Sequence, residues 1–278
     1  MSYKSSDIDM RYAQQHSPEH VQYMRRNRRM RTVVVVLRVS ILIGIFVLWE
    51  VAARLGWIDA FIASQPSRAW AAAVNLARRG ELLMHLGYTV GETVAGFVLG
   101  TLIGIVVAVL LWWSPFLSKV LEPYVVVLNS IPKVALGPIF IVWMGTNVDA
   151  IVAMAIAVSV IVTVMMVYTG FTEVDPNKVK LLRTFGASKL QVLQKVVIPS
   201  SVPVMISALK VNVGLSLVGT IVGEFLVSKA GLGFLIVYGG QVFNMSLVMS
   251  SVILLSGVSV VLYYLVSRLE ESVVKWRE

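Results

Sequence analysis

The 278-residue chain is 57% hydrophobic and only 14% charged, whereas a soluble domain carries about a quarter charged residues. Its net charge of +9 reads as basic cytoplasmic segments of a membrane protein under the positive-inside rule, not as a nucleic-acid footprint. There is no cysteine, which excludes disulfides, thiolate nucleophiles and cysteine metal sites.

Several apolar runs reach ~20 residues, the length a helix needs to cross a ~30 Å hydrocarbon core. The expected fold is therefore all-α and polytopic, with about six transmembrane helices. Residues 1–31 read as a basic cytoplasmic tail closed by Arg25, Arg26, Arg28, Arg29 and Arg31. His16 and His20 lie four apart in this tail with Pro18 between them and no further ligand, so a solvated tail is expected there. No cleaved signal peptide is evident, because the polar start leads into an apolar run long enough to span. The rest, 32–278, reads as one membrane domain.

The first span is expected over Thr32–Ala53. An outer segment follows, in which "QPSRAWAAAVNLARRG" predicts an amphipathic surface helix ending at Gly80. The second span, Thr93–Trp113, carries Gly96, Gly100 and Gly104. Glycine at every fourth position lines one face and predicts close approach of another helix.

A third span, Val120–Met144, contains Pro123, Pro132 and Pro138 together with Asn129, Ser130 and Lys133. Prolines remove backbone donors, and irregular backbone at membrane depth is tolerated where it lines a cavity or is buried in protein. An unpaired lysine at such depth costs about 2.5–3.5 kcal/mol on insertion scales, so Lys133 should face protein or water. Asn129, Ser130, Pro132 and Lys133 are therefore candidates for a solute pathway. Lys133 could attract an anion, or simply bond the carbonyls freed at a proline break.

A fourth span is expected over Ala150–Tyr168, a fifth over Pro203–Val227 and a sixth ending near Leu269. Glu224 in the fifth is a further candidate pathway residue, with Lys133 or a backbone amide as its partner. Lys210 is expected to snorkel towards the cytoplasm. Six spans place both termini on one side, and the basic clusters put that side in the cytoplasm.

Between the fourth and fifth spans, the stretch 172–203 is basic and helical in pattern. Its part "VKLLRTFGASKLQVLQKVVIPSSVP" holds four cations and no acid. Asp175–Pro176 predicts a helix start, Gly186 a left-handed stop, and Ser188 the cap of a second helix that halts before Pro199. Val179, Leu182 and Phe185 share one side of the first helix; Leu190, Leu193 and Val197 share one side of the second. Such an elbow suits force transmission from a soluble partner. A face resting on anionic lipid is the alternative, drawn by Lys178, Lys180, Arg183, Lys189 and Lys195.

Gly186, then nine residues, then Val196, Ile198 and Pro199 resemble the "EAA…G…I.LP" signature of permease subunits of type I ATP-binding-cassette importers. The wording "RTFGAS…VIPSSVP" is similar to the sulfonate, taurine and nitrate permease branch. "LNSIPKVALGPIFIVWMGTN" and "GEFLVSKAGLGFLI" extend the resemblance over roughly residues 85–270. In that family the helix before the glycine docks on an ATPase subunit. The resemblance therefore implies that Lys180, Leu181, Leu182, Arg183, Phe185, Gly186, Ala187, Ser188 and Pro199 couple this chain to an ATPase. It implies a second permease copy, an extracytoplasmic solute-binding protein and a bacterial inner-membrane location. It also places ATP and Mg on the partner, with no cofactor in this chain. Lys180 stands where the family has glutamate, so the partner should differ at that spot.

No "GxxxxGK[ST]" phosphate loop is present, so ATP is not held here in that way. The implied solute is small, with an anion such as a sulfonate, taurine, nitrate or bicarbonate favoured by Lys133. Members of the branch also take neutral heterocycles such as thiamine-precursor pyrimidines. A secondary transporter using Lys133 and Glu224 as an ion relay is the rival, although internal repeats are lacking.

Overall fold

The computed structural model describes residues 18–274, and every regular element among them is helical. The elements in chain order are α1 (Pro18–Arg54), α2 (Ala60–Ala63), α3 (Pro66–Arg78), α4 (Glu81–Trp113), α5 (Pro115–Ser130), a 3-10 turn (Lys133–Leu136) and α6 (Gly137–Met144). They continue with α7 (Val148–Thr172), α8 (Pro176–Thr184), α9 (Lys189–Val192), a π turn (Leu193–Val197), α10 (Ile198–Val227), α11 (Leu232–Gln241) and α12 (Met245–Val274). Among the described residues five helices are long and apolar enough to cross a membrane, or six if the bent pair Pro115–Ser130 with Lys133–Met144 counts as one span.

The chain divides into two compact units, residues 1–67 and 68–278. In the first, the helix is described from Pro18, and the span within it runs Arg26–Arg54, starting before the expected Thr32. Glu50 ties the end of α1 to the following turn: its carboxylate accepts from Arg54 Nε at 2.7 Å and from Ser67 N at 3.0 Å. His16 and most of the tail lie outside the described residues, as do Lys275 and Arg277.

In the second unit α7 is the central helix, because small residues let two neighbours reach its backbone. A Cβ on Gly96, Gly100 or Gly104 of α4 would strike Ala155, Ser159 or Thr163 of α7 respectively. From α10, a Cβ on Gly219 would meet Ala155 Cα at 2.6 Å, and one on Gly223 would meet Ile151 Cα at 2.9 Å. Ala155 is thus clasped between two glycine faces. The Ser159 and Thr163 hydroxyls donate back to Ala155 O and Ser159 O, so neither of these two is stranded in the seam. A second apolar cluster joins α10, α11 and α12 through Val213, Leu217, Leu232, Leu255 and Leu262.

Three expectations are corrected. The second span starts at Glu81, not Thr93, so a polar turn containing His85, Thr89 and Glu92 belongs to the helix. At ~1.5 Å per residue its 33 residues exceed the ~30 Å hydrocarbon core. The link between the fifth and sixth spans, expected as a loop, contains a helix, α11. The elbow's second helix does not stop before Pro199. The π turn closes with Ile198 N–H on Leu193 O, and Pro199 follows directly after it in the first turn of α10. The elbow therefore runs unbroken into the fifth span.

Candidate functional site

The elbow is assembled by local chemistry. Asp175 caps α8, its Oδ1 accepting from Asn177 N at 2.8 Å, and Pro176 occupies the first position. The far end closes in a Schellman motif: Ala187 N–H reaches Leu182 O at 3.1 Å and Gly186 N–H reaches Arg183 O at 2.9 Å. Gly186 sits at φ +78° with open space around it, so its requirement is conformational, not steric. Ser188 then opens α9 with a capping box. Its hydroxyl accepts from Gln191 N at 3.4 Å while Gln191 Oε1 accepts from Ser188 N at 2.7 Å.

One side of this elbow is anchored. Val192, Leu193 and Val197 are buried in one cluster with Ala108 of α4 and Val167 and Phe171 of α7, and Val179, Leu182 and Ala187 pack against it. The other side projects. Phe185 is 81% exposed and Leu181 56%, with Lys178, Lys180 and Arg183 exposed on the same helix. Phe185 does not share the buried side with Val179 and Leu182, because it is the cap residue and has left the helix. Leu190 is likewise exposed and does not share the buried side with Leu193 and Val197, whereas Val192 is buried.

The third span is broken where Pro132 predicts. α5 ends at Ser130, and the following pair lies at 92° to it. Lys133 is half-buried, and its ammonium donates to Asn129 O at 2.8 Å, a carbonyl freed by the break. Ser130 donates to Val126 O at 3.0 Å. Asn129, Ser130 and Pro132 are exposed on this chain. A cavity of about 40 Å³ lies between α4, α7 and α10, lined in part by Thr101, Thr163 and Asn212; it has room for a few waters and not for an organic solute.

Glu224 is elsewhere and differently employed. It is 1% exposed, and its oxygens accept from Thr89 Oγ1 at 2.6 Å and from Gly233 N at 2.5 Å. Leu232 N donates to Thr89 Oγ1 at 2.8 Å and Gly231 N to His85 Nδ1 at 3.0 Å. Three consecutive N–H groups at the start of α11 are thus held by His85, Thr89 and Glu224. Gly231, at φ +110°, and Gly233 leave no room for a Cβ against the Glu224 carboxylate. The Lys133–Glu224 pairing considered from sequence is not formed; the backbone-amide partner is. Glu92, 4% exposed, lies beside Glu224, within hydrogen-bonding reach of its carboxyl group.

The sequence reading missed Thr89 and Glu92 because it began the second span too late. Their common face was nonetheless visible: positions 85, 89, 92, 93 and 96 follow the 3.6-residue period. Lys210 meets Glu270 of α12 instead of snorkelling free.

Residues 100–276 match the family described as "Binding-protein-dependent transport system inner membrane component". The chain is 29% identical over 230 residues to a "Probable ABC transporter permease protein" of Haemophilus influenzae, covering 82% of this chain and 93% of that one. It is 25% identical over 234 residues to the formylaminopyrimidine transport permease protein of Halalkalibacterium halodurans (84% and 93% covered). It is 26% identical over 234 residues to a Bacillus subtilis protein named for aliphatic sulfonate transport (84% of each covered). Among solved structures, an inward-facing methionine ABC transporter chain superposes with a TM-score of 0.64 at 19% identity, covering 71% of this chain and 98% of that one. That last likeness concerns the fold alone.

Proposed function

Because this chain belongs to the family of binding-protein-dependent transport inner-membrane components, we propose that it forms part of the solute pathway of an ATP-driven importer and is driven by a separate ATPase gripping the elbow at 176–199. The observation that carries the reading is the two-sided elbow. Leu181 and Phe185 project from it, while its other side is packed into the bundle and its chain continues without interruption into α10. A face meant only for lipid would not require such anchorage, whereas a lever does. ATP and Mg would be held by the partner. Its groove should carry acidic groups opposite Lys178, Lys180 and Arg183, three exposed cations on one short helix.

The pathway forms between this chain and a second permease copy. Asn129, Ser130 and Pro132 are exposed on the broken span, and the cavity within this chain is too small for an organic solute. An extracytoplasmic binding protein delivers the solute, and nucleotide-driven movement of the elbows exchanges inward for outward opening. Both termini lie in the cytoplasm of a bacterial inner membrane. For the solute, Lys133 favours a small anion: only one of its three ammonium protons is engaged, at Asn129 O. A neutral pyrimidine is the second reading, motivated by the relative named for formylaminopyrimidine transport.

Affinity purification of the tagged chain from its native membrane in mild detergent tests the assignment. The wild type should bring down an ATPase, and Phe185→Asp should lose it while the bundle stays folded. Gly186→Pro should lose it too, because proline holds φ near −65° and removes the N–H that reaches Arg183 O. A chain that purifies alone and moves solute without ATP would overturn the reading.

A further inference from the structure

From the structure we infer that Lys189 is a positioning residue: it straps the elbow to the inner end of α4, so that α4 follows when the elbow is moved. This inference rests on the elbow being the ATPase's handle.

The geometry is specific. The last four carbonyls of a helix have no partner within it, and Trp113 is the final residue of α4. Lys189, the first residue of α9, donates from Nζ to Trp113 O at 2.5 Å. The same ammonium lies over both indoles, 5.8 Å from the Trp112 centroid and 5.4 Å from that of Trp113. A cation at a helix C-terminus complements the dipole, and indole is the best cation–π acceptor among side chains. One side chain therefore engages a carbonyl and two rings that all belong to the end of one helix.

Its own base is fixed as well. The capping box between Ser188 and Gln191 locks the turn from which Lys189 departs, and Val192, three residues on, is fully buried beside Ala108 of α4. The elbow thus meets the bundle by two routes of different character. Towards α10 it is joined covalently through the π turn, a segment type that recurs at functional sites. Towards α4 it is joined by the strap and the packing beneath it. Without the strap, a displaced elbow would still pull α10 but could slide over the end of α4.

The absence of native cysteine makes the test direct. Leu83→Cys, on the exposed outer end of α4, carries an environment-sensitive fluorophore in the complex purified with its ATPase. ATP with vanadate is the probe. Lys189→Gln should keep the ATPase bound and hydrolysing while the nucleotide-induced emission change shrinks about five-fold or more, the lower end of an allosteric coupling. Lys189→Arg, which retains a cation able to donate and to stack, should restore it. An undiminished change in Lys189→Gln would overturn the inference alone. So would loss of the ATPase together with the signal, which marks a merely structural role. A wild type that retains no ATPase would overturn the proposed function and this inference with it.

Discussion

Glu224→Gln isolates the clasp at the start of α11. The substitution keeps size and shape but replaces one of two accepting oxygens by an NH2. In the present geometry those oxygens receive Thr89 O–H and Gly233 N–H. Whichever way the amide turns, either Thr89 O–H or Gly233 N–H loses its accepting oxygen. An unsatisfied buried group costs about 1–3 kcal/mol, or about a 5- to 150-fold rise in the population of the locally opened clasp, at about 1.4 kcal/mol per tenfold. Hydrogen exchange of the Leu232 and Gly233 amides, measured by mass spectrometry on the intact chain in lipid nanodiscs, reads that population. Exchange there should accelerate by this factor, with the α7 amides unchanged. A variant whose Gly231–Gly233 segment exchanges within about two-fold of wild type would refute the idea that Glu224 holds α11 in place.

Gly219→Leu should lower the midpoint of thermal unfolding. Its Cβ would meet Ala155 Cα at 2.6 Å and Met154 O at 2.9 Å, and overpacking of this kind costs about 1–3 kcal/mol. Gly91→Ala, with nothing within 4 Å of its Cβ, should instead be neutral or stabilising by up to about 1 kcal/mol in the same assay. Asn212 Nδ2 donates to Thr101 Oγ1 at 2.6 Å in a buried pair. Thr101→Val alone should therefore cost about 1–3 kcal/mol, while Thr101→Val with Asn212→Leu should recover most of it. Purely additive losses in that double-mutant cycle would show that the two side chains do not depend on each other.

What could be read from the sequence was local. Asp175, Pro176, Gly186 and Ser188 each act within three or four residues of themselves, so the elbow's caps follow from their spacing. Pro132 likewise announces the break in the third span. The glycine series at 96, 100 and 104 gave the crossing face but not its partner, since nothing near those positions names Ala155. The clasp was the least legible element, because Thr89 and Glu224 are 135 residues apart and their pairing is a product of the whole bundle. Proline rules also misled once. Pro199 marks a helix end when the preceding turns are α-helical, but the five-residue π turn from Leu193 to Val197 resets the position that proline occupies. Periodicity put Phe185 on one side of its helix with Val179 and Leu182, and periodicity lapses at a cap.

The length of α4 has a thermodynamic corollary. This one helix is held at its Trp113 end by Lys189 and at its Glu81 end by the contacts of His85 and Thr89 with the start of α11, the inner and outer ends on the proposed topology. Whatever coupling free energy this helix carries acts equally in both directions: a ligand favouring one arrangement at the outer end biases the inner end, and the converse holds by the same amount. Loading from outside and nucleotide inside would then be linked as reciprocal effectors. A substitution that loosens either end of α4 should weaken both responses, not only the nearer one.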